Sequence, residues 1–97
     1  MSIDNNLYEK SIKILTDLIA FKTISGQDNS NLIDYCEKIL NNIGIDTFKV
    51  YDGDKKRVNL FGTLKAKNQS TKKPIILSGH TDVVPVSKGW SLSLIHI

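Results

Sequence analysis

The sequence predicts an α/β domain of two helices followed by three strands. Three observations carry that expectation. Apolar residues recur at helical spacing through 7–21 and again through 29–43. Two short runs, 45–51 and 58–64, carry strand patterning on either side of a turn. Finally, Pro74 opens a near-continuous apolar run, Ile75-Ile76-Leu77, which passes into the polar cluster Ser78-Gly79-His80-Thr81-Asp82.

In the first helix Tyr8, Ile12, Leu15 and Ile19 form a stripe that Leu7, Ile14 and Leu18 widen. Asn6, with Glu9 three residues later, is the expected N-cap. The polar face carries Glu9, Lys10, Lys13 and Asp17, and the element is expected to pack on a sheet. Residues 21–27 break the pattern. Thr23 and Ile24 are β-branched and Gly26 permits unusual dihedrals, so this stretch is expected to be a loop. The second helix, capped by Asp28 or Ser30, has the stripe Leu32, Cys36, Ile39 and Ile43, flanked by Ile33 and Leu40. Gly44 is placed to end it as the first residue beyond the cap.

Ile45–Tyr51 reads as a strand with Phe48 and Val50 on one face and Thr47 and Lys49 on the other. Asp52-Gly53-Asp54-Lys55-Lys56 is turn chemistry, and it lacks the further oxygen ligands of a calcium loop. Val58–Leu64 is the second strand, with Val58, Leu60 and Leu64 on one side, expected to pair antiparallel with the first. Residues 65–73, with Lys65, Lys67, Lys72 and Lys73, read as a solvated connection. The third strand follows, and its apolar character predicts burial on both faces, inside a sheet with parallel neighbours.

Composition narrows the function classes. The chain has 97 residues, enough for one small domain with a modest core. Its net charge of +3 comes mainly from scattered lysines with one arginine, Arg57, and no aromatic–basic interleaving, which argues against a nucleic-acid binder. Cys36 is the only cysteine, so no internal disulfide can form, and on the helix stripe it reads as a small core residue. No apolar run approaches the ~18 residues of a membrane span, and the N-terminus lacks signal-peptide patterning. A cytoplasmic protein with no membrane partner is expected.

His80 and Asp82 are the candidate site residues. In extended backbone, residues two apart point to the same side. Asp82 can then accept a hydrogen bond from one imidazole nitrogen of His80, leaving the other free to offer its lone pair to a metal. Gly79 leaves room for an approaching group and Pro85 stiffens the exit. The carboxyl end of a strand in an open α/β sheet is also where ligands tend to sit. The bare His-x-Asp spacing is common, and a structural histidine remains the competing reading.

Leu77-Ser78-Gly79-His80-Thr81-Asp82-Val83-Val84-Pro85-Val86, followed by Gly89-Trp90-Ser91, resembles the first metal motif of the M20 metallopeptidase and deacylase family, nearest to its acetylornithine deacetylase branch. Upstream, 18–25, 31–35 and 58–63 resemble that family's opening helix and loop, second helix and second strand. The resemblance implies that 1–91 is the N-terminal part of a zinc-dependent exopeptidase-like, three-layer α/β/α catalytic domain. It implies a two-zinc site, with cobalt as an alternative metal, in which His80 is a metal ligand and Asp82 the catalytic-site residue that orients it. The implied reaction is hydrolysis of an amide in a small N-acyl amino acid, by a full-length protein that is a homodimer. Succinyl-diaminopimelate desuccinylase and dipeptidases are alternatives within the family.

The family also needs a bridging aspartate, a Glu-Glu pair, another acidic ligand and a late histidine, all beyond residue 91. Glu9 and Glu37, the only glutamates, match none of these positions. The ending Leu92-Ser93-Leu94-Ile95-His96-Ile97 departs from the family and resembles a translated transposon end from library preparation, so 92–97 is expected to be a non-native tail and His96 to have no role. A chain of this kind is expected to fold marginally, to bind zinc weakly and to be inactive alone. A reading of another class is a small anion-binding module using the Lys65–Lys73 loop.

Overall fold

The computed structural model describes residues 4–68 and 71–85. Their elements are helix α1 (Asn5–Ala20), helix α2 (Ser30–Asn42), strand β1 (Asp46–Tyr51) and strand β2 (Val58–Thr63). The expected tail 92–97, His96, Gln69 and Ser70, and the motif residues Val86, Gly89, Trp90 and Ser91 lie outside the described residues.

Helix α1 begins earlier than expected. Asp4, not Asn6, is its N-cap, and its carboxylate accepts the Asn6 N–H at 3.0 Å. An Asp side chain competes well for the free N–H groups of a first turn, and Asp4 stands two residues before the donor it satisfies. The expected packing of α1 on a sheet is not seen among the described residues. No residue of α1 is buried, and Leu7, Tyr8, Ile12, Leu15 and Ile19 are all about half exposed. Among the described residues it is the end of the helix that engages the rest: Leu18 and Phe21 pack against the core, and the Tyr35 hydroxyl of α2 donates to Asp17 at 2.6 Å.

Helix α2 ends as Gly44 predicts. The Gly44 N–H donates to the Asn41 carbonyl and the Ile45 N–H to the Leu40 carbonyl, both at 3.0 Å, with Gly44 at φ +83°. That is a Schellman closure, which needs the left-handed conformation at this residue. At the other end the N-cap is Asn29, between the two expected candidates, and its side chain makes no capping bond. The Asp28 carboxylate instead accepts both the N–H and the hydroxyl of Ser30, at 2.8 and 2.6 Å.

The Asn29 amide is used elsewhere. Its Nδ2 donates to the Val58 carbonyl at 3.0 Å, and its Oδ1 accepts the Val58 N–H at 2.8 Å. A side-chain amide thus pairs with backbone as a neighbouring strand would, satisfying both polar groups of a residue that is 4% exposed. Val58 forms the core with Leu32 and Ile33, with Leu18, Phe21, Cys36 and Leu60 packed around it. Each fully buried side chain of this kind contributes about 1.5–3 kcal/mol.

β1 and β2 pair antiparallel, as expected, with Asp46 opposite Thr63 and Tyr51 opposite Val58. The turn between them is organised by Asp52. Its carboxylate accepts the N–H groups of Lys56 and Arg57 at 3.1 and 3.2 Å and pairs with the Arg57 guanidinium at 2.7 Å. The polar face of β1 meets α2. Thr47 lies 3.0 Å from both Glu37 Oε2 and Asn41 Oδ1, and Lys49 pairs with Asp34 and Glu37. Gly62 permits this contact: a Cβ there would meet Ile45 Cγ2 at 3.2 Å and Leu40 Cδ1 at 3.3 Å. The other face carries Phe48 stacked on Phe61, centroids 5.0 Å apart, both open to solvent.

The third strand is the main correction. Residues 74–82 form no strand, and Ile75, Ile76 and Leu77 are 88%, 85% and 93% exposed. Leu64, expected in β2 on the same side as Val58 and Leu60, lies beyond its end and is exposed. The hairpin strands find each other across a short turn, whereas a two-face-buried strand needs neighbours on both sides and covering layers on both faces. Among the described residues none runs beside 74–79. Among the described residues the chain forms a two-helix, two-strand α/β unit, compatible with a fragment of an α/β domain, in which the expected third strand is not formed.

Candidate functional site

His80 and Asp82 come together as the two-residue spacing predicts. His80 Nδ1 lies 2.9 Å from Asp82 Oδ1 and 3.1 Å from the Asp82 carbonyl oxygen. Both neighbours are acceptors, so Nδ1 carries the proton and, in the neutral ring, Nε2 carries the lone pair. The imidazole is 85% exposed and the carboxylate 55%, so Nε2 is open to a ligand from solvent. Gly79 stands in open space, as a group approaching this backbone requires.

The backbone beneath the pair is held by the loop after α1. Thr23 Oγ1 donates to the Thr81 carbonyl at 2.7 Å. The Val83 N–H donates to the Thr23 carbonyl at 3.0 Å, and the Ser25 N–H to the Val83 carbonyl at 2.9 Å. These bonds make a parallel bridge between Ile24 and Val83. The parallel neighbour expected for the third strand is therefore real, but it is one bridge long and sits at residues 81–83. Hydrogen bonding from Ser25, then from His80, holds the Asp82 carboxyl below its ordinary range, so it is ionised and suited to accept from Nδ1–H.

Sequence reasoning missed Thr23 and Ser25 as members of this site. Two β-branched residues in a predicted loop were the available signal, because such residues favour extended backbone. Asn29 was missed too, since nothing local distinguishes an amide that caps a helix from one that pairs with a distant strand.

The remaining candidates fall into place as scaffold. Cys36 is half buried against the core, and burial pushes its thiol upward, as expected of a small packing residue. Glu37 serves the α2–β1 contact, and Asp52 is consumed by its own turn, so neither is offered to a cation. Lys65, Lys67, Lys72 and Lys73 are exposed, with Lys65 3.9 Å from Asp46. Among the described residues there is no group of three or more His, Cys, Asp or Glu side chains that could hold a metal ion. A pocket of about 160 Å³ lies between the loop and the start of α2, lined by Phe21, Thr23, Asp28, Asn29 and Leu32 among others. Neither His80 nor Asp82 lines it, and it is smaller than a usual small-molecule site. No helix among the described residues is long and apolar enough to cross a membrane.

Comparison with known proteins gives one informative likeness. The chain is 34% identical to the probable carboxypeptidase S-like protein 1 of Dictyostelium discoideum, over 105 aligned positions that take in 95% of the chain. It spans only 22% of that relative's length. No protein-family profile matches the chain, and no solved structure matches it.

Proposed function

We propose that this chain is the metal-ligand-bearing start of a metal-dependent amide hydrolase of the peptidase kind. The carrying observation is the 2.9 Å contact from His80 Nδ1 to Asp82 Oδ1, which presents Nε2 to solvent in the tautomer a metal requires. Zinc is the proposed metal. The donor chemistry fits one corner of such a site: a neutral imidazole with an ionised carboxylate behind it. A catalytic zinc takes about three protein ligands and a water, and the described residues offer one. When bound, zinc would polarise the substrate carbonyl and activate water. His80 would hold it through Nε2, and Asp82 would keep the Nδ1 proton in place and the ring oriented. The other ligands and the base that accepts the water's proton are proposed to come from sequence this chain does not contain.

The substrate proposal joins the two likenesses. An acetylornithine deacetylase releases an α-amino acid from its acetyl group. A carboxypeptidase, the kind of protein the Dictyostelium relative is named for, releases one from a peptide. Both break an amide whose nitrogen belongs to an α-amino acid with a free carboxylate. That N-acyl amino acid class is the proposed substrate, and the named relative favours a peptidyl over an acetyl group as the acyl part.

Zinc titration of the chain, followed by the ring-nitrogen NMR signals of His80, tests the reading. The expected result is a response at Nε2 that saturates only above micromolar zinc and is absent in His80→Ala, because one ligand binds weakly. A His80 ring indifferent to zinc overturns the proposal.

A further inference from the structure

Among the described residues, Ser25 hydrogen-bonds the Asp82 carboxylate, and the His80–Asp82 pair otherwise lies largely open to solvent. Their side chains are 85% and 55% exposed, and the apolar residues before them are bare. An exposed pair on free backbone would exchange among rotamers and lose its 2.9 Å contact much of the time. The backbone here is not free. Thr81, the residue between them, has its carbonyl bound by the Thr23 hydroxyl at 2.7 Å across 58 positions of sequence. Thr23 is 5% exposed and is the one buried polar residue among those described. A buried hydroxyl keeps a single partner because leaving it unpaired is costly. The two backbone bonds of the Ile24–Val83 bridge fix the same segment just beyond Asp82.

We propose that Thr23 is a positioning residue for the His80–Asp82 pair: its buried hydroxyl, bound to the Thr81 carbonyl, sets the backbone from which imidazole and carboxylate meet. Its value for metal binding rests on the proposed function, but the positioning itself does not. The bonds of Thr23 to this segment go to backbone atoms of Thr81 and Val83. Thr23 acts through Thr81, and its loop ties the end of α1 to the candidate site.

The test compares Thr23→Val, which keeps the shape and removes the hydroxyl, with Thr23→Ser, which keeps the hydroxyl and removes the methyl. The readouts on the whole chain are the His80 ring-nitrogen shifts, which report the tautomer, the β1–β2 cross-strand signals as a control for folding, and zinc affinity. The expected result is that T23V loses the Nδ1–H signature of His80 with the hairpin signals intact, while T23S retains it. Zinc affinity should fall by about tenfold or more in T23V, the usual consequence of losing a group that orients a ligand. Three results would overturn the proposal: an unchanged His80 signature in T23V, loss of the signature in T23S as well, or loss of the hairpin signals in T23V. If the wild-type ring ignores zinc but T23V still changes its tautomer, the metal reading fails and the positioning role stands.

Discussion

Between residues 29 and 63, polar groups find partners within the same segment. Asn29 pairs with Val58, Thr47 with Glu37 and Asn41, Lys49 with Asp34, and Asp52 with its own turn. Between residues 71 and 85 the described anchors come from 23–25, and Ile75, Ile76 and Leu77 bury almost nothing. Both segments are rich in apolar residues, so hydrophobicity does not separate them. The difference lies in where the partners sit. A hairpin and an adjacent helix supply one another over short stretches of chain, at modest loop-closure cost. A strand meant for the middle of a sheet depends on distant elements.

The comparison breaks most visibly with one leucine from each side. Leu32→Ala should destabilise the chain by about 2–5 kcal/mol, since Leu32 is 3% exposed. Leu77→Ala, at 93% exposed, should change stability by no more than about 0.5 kcal/mol. Urea melts of the two variants measure this, and equal costs would mean that 75–77 are buried in solution.

Asn29→Ala sharpens the same contrast. It strips partners from the buried N–H and carbonyl of Val58, and should cost about 2 kcal/mol. Amide hydrogen exchange should show lost protection at Val58 and its neighbours, with the His80 tautomer signal unmoved. A loss spread equally over 71–85 would show that the two segments open together.

The smallest effect concerns the contact that joins α1 to α2. The Asp17 carboxylate beside Tyr35 pushes the phenol from 10.0 up to about 12. The folded chain then holds this proton more tightly than the unfolded one, so the stabilisation is complete below about pH 10 and fades as pH rises towards 12. Asp17 itself is lowered, first by Lys13 and then by Tyr35. Its contribution is present above the ordinary 3.8 and is lost as pH falls through the lowered value. Ultraviolet titration should show a late tyrosine ionisation that Tyr35→Phe removes; a tyrosine ionising near 10 in its place would mean the Asp17 contact is not kept in solution.

Much of this was legible from local pattern. Periodicity placed both helices within a few residues, Gly44 marked the end of α2, and the Asp-Gly-Asp turn and the antiparallel pair followed from alternation around a breaker. The faces were harder to read. Phe48 and Val50 lie on the open side of β1, while Thr47 and Lys49 turn towards α2, because its Asp34, Glu37 and Asn41 offer charge and hydrogen bonds there. The caps Asp4 and Asn29 stood one or two residues from those expected, since several Asp, Asn and Ser side chains compete at each helix start.

The sequence by itself determined the helices, the hairpin, the turn chemistry and the meeting of His80 with Asp82. Each rests on contacts between residues close in the chain, where spacing alone settles geometry. Only the tertiary structure decided that Ile75–Leu77 stay bare, that Asn29 serves as a strand partner for Val58, and that Thr23 reaches Thr81. Those outcomes depend on which distant groups are present to satisfy a buried hydroxyl, an amide or a sheet edge, and no local pattern records that supply.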